Sequence, residues 1–202
     1  MRVTFSGEPG HSALAPQFVN AIHVAAQFIT ETRLLQETLA VGAQDDAYDI
    51  PFTTLHVGKI AGGRALNIIP DHATLDMEFR HLEDVPAADL MAALEDAAAR
   101  TVAAFDQRCT IGFETLFTYP GLGTALDSPS IAQGCALAGT NEMLKVAFGT
   151  EGGYFKELGL NTLVIGPGDM SRDGHEPDEG LSLDQLAKCD AMMDRVLAQL
   201  VG

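Results

Sequence analysis

The chain has 202 residues, of which 47% are hydrophobic, so it can bury a core and is not globally disordered. Its 28 acidic and 12 basic residues give a net charge of -16, which repels phosphate backbones and anionic membranes and argues against nucleic acid or membrane partners. There is no membrane-length apolar run, no signal peptide pattern, and no cysteine spacing typical of disulfides or metal sites, so we expect a cytoplasmic protein.

Residues 1–119 alternate between strand and helix signals. The predicted elements are, in chain order, a strand over 1–7, a helix over about 16–41, strands over 52–60 and 66–79, a helix from Pro86, and a strand over 109–119. A glycine-rich turn between the second and third strands favours a hairpin. The order β-α-β-β-α-β predicts a ferredoxin-like fold, in which two helices cover one face of a four-stranded antiparallel sheet.

Residues 120–202 follow a different pattern. The predicted elements are a helix over 129–139, a short strand over 145–148, a short helix after a glycine-rich turn, a strand over 162–165, and a capped helix over 182–200. This α-β-α-β-α order favours a mainly parallel sheet. Because two strands cannot form such a sheet alone, we expect an incomplete α/β domain.

Three polar residues of the first segment are candidates for chemistry. His11 lies in a glycine- and proline-shaped turn ahead of a helix, where it could donate a hydrogen bond to an oxyanion or be an ordinary surface histidine. Asn67 lies at the hairpin turn and could contact substrate or satisfy the turn backbone. Arg80 ends a strand and could bind a carboxylate or form a surface ion pair.

The second segment has two candidate sites. Thr150 and Glu151 lie among glycines that open a helix, which is either an anion site built from backbone N–H groups or an ordinary turn. His175 lies in a polar loop over 166–180, where it is either a metal ligand or an incidental residue of a solvated acidic loop. Motifs for other metal, phosphate and nucleophile sites are incomplete.

Four segments, taken in order, resemble a known family. They are 10–13 (GHSA) with 19–22 (VNAI), 62–71 (GGRALNIIPD), 149–153 (GTEGG), and 166–168 (GPG) with 175–179 (HEPDE). The chain is similar to the zinc metallopeptidase family of the aminoacylase and glutamate carboxypeptidase type, in which the acetylornithine deacetylases are the most similar branch. The resemblance implies that 1–119 are a lid or dimerisation domain and that 120–202 are the C-terminal part of a catalytic domain.

The resemblance also implies roles for the candidate residues. His11 matches a lid histidine that reaches a partner subunit's active site and helps to polarise the scissile carbonyl. Asn67 and Arg80 match lid positions that touch substrate, Thr150 and Glu151 match the substrate pocket, and His175 matches the last ligand of the zinc or cobalt ion.

A complete enzyme of this kind is expected to be a homodimer that hydrolyses a small N-acylated amino acid. The reaction would turn N-acetylornithine and water into ornithine and acetate, as in arginine biosynthesis. This chain has no H-x-D and no Glu-Glu pair, which in the family supply the other metal ligands and the general base. Since a catalytic zinc needs about three protein ligands, we expect this portion of a hydrolase to be inactive alone. The alternatives are a non-catalytic homodimerising or binding module, or another family substrate such as succinyl-diaminopimelate or a dipeptide.

Overall fold

The computed structural model of the chain describes residues 1–105, 107–168 and 177–201. The chain divides into two compact units, Met1–Thr118 and Tyr119–Gly202. Across the described ranges, no helix combines the length and the apolar character that crossing a membrane requires.

The first unit contains one antiparallel sheet and two long helices. Its elements are β1 (Arg2–Ser6), a 3-10 helix (Ser12–Gln17), α1 (Ala21–Ala40), β2 (Thr54–Gly62), β3 (His72–Arg80), α2 (Ala87–Ala103) and β4 (Thr110–Glu114). The sheet order is β2-β3-β1-β4, and every neighbouring pair is antiparallel. The predicted mixed α/β fold with a ferredoxin-like β-α-β-β-α-β order is therefore confirmed.

Alternation along the central strands creates the core of this unit. In β1, Val3 and Phe5 are fully buried while Thr4 between them is only half-buried, as the two-residue period of a strand requires. Phe28 of α1 contacts Phe5 with ring centroids 5.5 Å apart and also packs edge-on against Phe113 of β4. Both helices thus bury their apolar stripes against one face of the sheet.

The structure corrects three predicted boundaries in this unit. The predicted helix over 16–41 is really a 3-10 helix followed by α1, because the Asn20 side chain accepts hydrogen bonds from the Ile22 and His23 N–H groups and starts α1 there. Strand β3 begins at His72 rather than at residue 66, and β4 ends at Glu114 rather than at residue 119.

The second unit consists of helices and irregular segments among its described residues. The helices are α3 (Pro129–Ala138), α4 (Gly152–Glu157) and α5 (Leu183–Val201). Helices α3 and α5 are joined where the Arg195 Nε donates to the Leu137 carbonyl oxygen at 2.6 Å.

The predicted strands over 145–148 and 162–165 are wrong, because the structure assigns no strand to either segment. An apolar run becomes a strand only when a neighbouring strand pairs with it, and the residue pattern does not reveal whether that neighbour exists.

Candidate functional site

His11 lies in a loop whose two ends, Glu8 and Val19, are joined by a backbone hydrogen bond. The Glu8 N–H donates to the Val19 carbonyl oxygen at 2.7 Å, and the Gly7 N–H donates to the Asp71 carbonyl oxygen at 2.9 Å. A Cβ atom on Gly7 would overlap the Val19 carbonyl oxygen, so the close approach of the two chain segments requires glycine there. We call residues 8–19 the His11 loop.

The His11 loop is joined to the loop that connects β2 and β3. The Ile69 N–H donates to the Gly10 carbonyl oxygen at 2.8 Å, and the Ser12 N–H donates to the Asn67 carbonyl oxygen at 3.2 Å. His11 also forms an isolated antiparallel bridge with Ile68. Two of the predicted site residues, His11 and Asn67, are therefore brought together at one end of the first unit, and both are exposed.

The His11 ring takes part in a hydrogen bond that fixes its tautomer. Its Nδ1 accepts from the Ala13 N–H at 3.1 Å, which caps the start of the 3-10 helix. An acceptor nitrogen needs a free lone pair, so the neutral ring carries its proton on Nε2. The exposed edge of the ring is thus a hydrogen-bond donor.

Arg80 does not join this pair of residues within one chain. Arg80 is the last residue of β3, and His72, which follows the Asn67 loop, is the first. The two residues are eight positions apart. At the rise of a strand this separation is roughly 26 Å. Its guanidinium contacts Glu78 on the same strand, with the Arg80 Nε donating to the Glu78 carboxylate at 3.0 Å. The geometry of one chain therefore separates Arg80 from Asn67, although both were expected to touch the substrate.

The second unit positions Thr150 and Glu151 at the start of α4. The Thr150 Oγ1 accepts from the Gly152 N–H at 3.1 Å, so this side chain stabilises the turn that opens the helix. Gly152 and Gly153 are buried, and a Cβ on Gly153 would overlap the Pro120 carbonyl group. Close packing against the Pro120 backbone thus explains the glycine at position 153.

The metal site expected from the resemblance finds no support among the described residues. His175 lies outside the residues that the structure describes. Within the described ranges, no group of three or more histidine, cysteine, aspartate and glutamate side chains is arranged to hold a metal ion. A catalytic zinc needs about three protein ligands, so the described residues do not fit a zinc or cobalt site.

Arg108 contacts the His11 loop, a contact that the sequence analysis missed. Its Nη1 donates to the Glu8 Oε2 at 3.0 Å and to the Gln17 carbonyl oxygen at 3.0 Å. Arg108 lies 100 positions after Glu8 and belongs to no periodic pattern or motif, so only the fold reveals the contact.

Comparison with known proteins places this site in a family. Residues 1–105, which include the whole His11 loop and Asn67, match the sequence profile of the peptidase dimerisation domain. The chain belongs to the peptidase dimerisation domain family. The resemblance to the metallopeptidases that the sequence motifs indicated is thereby confirmed, and both exposed residues at the joined loops lie within the dimerisation domain.

Relatives extend the match beyond the dimerisation domain. The chain is 30% identical to acetylornithine deacetylase from Myxococcus xanthus over 99% of its own length and 52% of that protein. It is 32% identical to acetylornithine deacetylase from Pectobacterium atrosepticum over 88% of its length and 45% of that protein. The chain thus spans about half the length of the curated relatives it matches.

Solved structures show the same fold. Aminopeptidase PepT from Bacillus cereus superimposes with a TM-score of 0.68 at 22% identity, covering 95% of this chain and 48% of that one. A tripeptidase from Staphylococcus aureus superimposes with a TM-score of 0.67 at 18% identity, covering 95% of this chain and 48% of that one.

Proposed function

We propose that this chain is part of an amide hydrolase that removes the acetyl group from N-acetylornithine. Residues 1–119 are its dimerising lid, and residues 120–202 are the C-terminal part of its catalytic domain. The observation that carries the proposal is the joining of the His11 loop to the Asn67 loop inside a peptidase dimerisation domain. The acetylornithine deacetylases among the relatives support the choice of substrate.

His11 is the residue that acts on the scissile carbonyl in this proposal. With Nδ1 occupied by the Ala13 N–H, the neutral ring donates from Nε2. A fixed donor stabilises the negative charge that develops on a carbonyl oxygen when water attacks it. The hydrogen bonds between the two loops hold the ring in place before substrate arrives, so little reorganisation is needed.

Asn67 and Arg80 recognise the substrate from different places. The amide of Asn67 can both donate and accept, which suits the acyl group or carboxylate of an N-acyl amino acid beside His11. Because Arg80 lies at the far end of β3, it reaches the substrate that His11 contacts only if a second copy contributes one of the two residues. Thr150 and Glu151 are proposed to line the pocket in the catalytic domain.

The same arrangement explains why a homodimer is part of the proposal. Strand β2 is an edge of the described sheet and is nine residues long, whereas the other edge, β4, has five. Ile60 near the end of β2 is 53% exposed. An open edge with an exposed apolar side chain is suited to pairing with a second copy.

Metal chemistry would come from residues other than the described ones. His175 is the proposed ligand within this chain, and zinc or cobalt would need further ligands beside it. For the 202-residue chain alone, supplied with zinc, we therefore expect no release of acetate from N-acetylornithine. The absence of a metal-binding group among the described residues favours, as the second candidate, a homodimerising or binding module without catalysis.

The test compares variants of the native protein purified from its source, with zinc supplied. We expect His11→Ala to lower kcat for N-acetylornithine by about 100-fold to 1000-fold, the usual cost of losing an oxyanion donor. His23→Ala, at an exposed histidine of α1, is the matched control and should leave kcat unchanged. Equal loss in both variants would contradict the role of His11. Hydrolysis of succinyl-diaminopimelate or dipeptides in place of N-acetylornithine would correct the substrate.

A further inference from the structure

Arg108 ties together the two ends of the His11 loop. One guanidinium nitrogen, Nη1, donates to the Glu8 carboxylate, which precedes His11, and to the Gln17 carbonyl oxygen, which follows it. Nη1 carries two hydrogens, so both bonds form at once. A single nitrogen therefore fixes the distance between the two ends of the segment that carries the histidine.

The His11 loop depends on such ties because it buries little surface. Residues 11–17 are all exposed, and the 3-10 helix has no buried residue. Apolar burial is normally what holds a segment in one conformation, and it is absent from residues 11–17, although Val19 at the end of the loop is buried. The conformation of residues 11–17 therefore depends on polar contacts: the hydrogen bonds to the Asn67 loop and the contacts of Arg108 with Glu8 and Gln17.

The backbone of Arg108 is held by contacts outside the His11 loop. The Arg108 N–H donates to the Phe105 carbonyl oxygen at 3.2 Å in the turn that follows α2. The preceding residue, Gln107, adopts a positive φ of 59°, and the following residue, Cys109, is buried. The side chain of Arg108 therefore extends from a residue that directly precedes the buried Cys109.

We infer that Arg108 is a positioning residue for His11. By holding Glu8 and Gln17 it keeps the loop in the conformation in which the Ala13 N–H occupies Nδ1 and Nε2 carries the proton. The inference rests on the role proposed for His11, but the order that Arg108 imposes on the loop is measurable without substrate or metal.

The experiment uses nuclear magnetic resonance on the 202-residue chain with ¹⁵N-labelled histidine rings and backbone. We expect Arg108→Ala to accelerate hydrogen exchange at the Ser12 and Ala13 amides by about threefold to tenfold, the loss of one ordinary hydrogen bond. The two ring-nitrogen shifts of His11 should also move toward each other as the tautomers mix. Arg108→Lys, which can still donate to both acceptors, should restore part of each effect.

Arg100→Ala is the matched control. It removes another arginine–glutamate pair, in which the Arg100 Nε donates to Glu31 at 2.8 Å between the two helices. It should leave the His11 ring shifts and the two amides unchanged. Identical ring shifts in Arg108→Ala and wild type would overturn the inference, as would equal effects from Arg100→Ala. If the native protein with zinc fails to deacetylate N-acetylornithine while these Arg108 effects are seen, the proposed function alone would be overturned.

Discussion

At the scale of single residues, the conformation of the His11 loop depends on Gly7. A Cβ atom there would overlap the Val19 carbonyl oxygen and lie 2.8 Å from the Ala21 nitrogen, and neither backbone atom can move without opening the loop. We expect Gly7→Ala to lower the free energy of unfolding by about 2–3 kcal/mol, the upper range for overpacking, as measured by urea titration.

Gly112 provides the control for this prediction. It lies in β4 of the same sheet, and a Cβ there would meet nothing within 4 Å. Gly112→Ala should therefore change the free energy of unfolding by no more than about 1 kcal/mol, in the stabilising direction, because alanine restricts the unfolded chain and suits a strand better than glycine. Equal losses in the two variants would show that the close approach at Gly7 does not matter.

The candidate site was predictable from sequence only where its residues lie in motifs. His11 and Asn67 stand in short segments shaped by glycine and proline, and such segments mark turns. Their juxtaposition is a property of the sheet, which places β1 beside β3 and so brings their connecting loops together. Arg108 gives no local signal because its partners are distant in sequence and one of them is a backbone oxygen.

At the scale of elements, Gln36 connects α1 to the start of β2. Its Oε1 accepts from the Leu55 N–H at 2.6 Å, and its Nε2 donates to the Thr53 carbonyl oxygen at 3.2 Å. We expect Gln36→Ala to lower the free energy of unfolding by about 1–2 kcal/mol, because two half-buried backbone groups lose their partner. Urea titration measures the change.

Gln27→Ala is the comparison for the Gln36 variant. The Gln27 Nε2 donates to the Glu31 Oε1 on the same helix at 3.3 Å, so loss of this hydrogen bond should cost less than about 0.5 kcal/mol. A Gln36→Ala variant as stable as Gln27→Ala would mean that water replaces both backbone contacts without cost.

The element order of the first unit was predictable because its strands and helices pack on one another. Buried residues alternate with half-buried ones in β1 and through most of β3, and the apolar stripes of the helices pack against the buried face, so periodicity and burial agree. Residues 66–71 misled the strand prediction because apolar residues there belong to the loop that bonds to the His11 loop. The strand prediction for the apolar segments of the second unit was wrong for a different reason, because local sequence does not show whether a partner strand is present.

At the scale of the whole molecule, the two units differ in how much apolar surface they bury. The first has a continuous core around Phe5, Phe28 and Leu75. In the second, helix α5 has no buried residue, and Leu183, Leu197 and Leu200 are exposed. Exposed apolar surface of this extent is typical of a surface that contacts other protein. The first unit, which contains the residues that match the dimerisation domain, therefore has an apolar core of its own.

The measurement that tests the account most directly is the molar mass of the 202-residue chain in solution by light scattering. It should be made at physiological ionic strength, because salt screens the repulsion between two copies of net charge -16. We expect a mass twice the 21.4 kDa of one chain, and we expect Ile60→Lys, which puts a charge on the β2 edge, to return it to one chain. A wild-type mass of 21.4 kDa at high protein concentration would contradict the account.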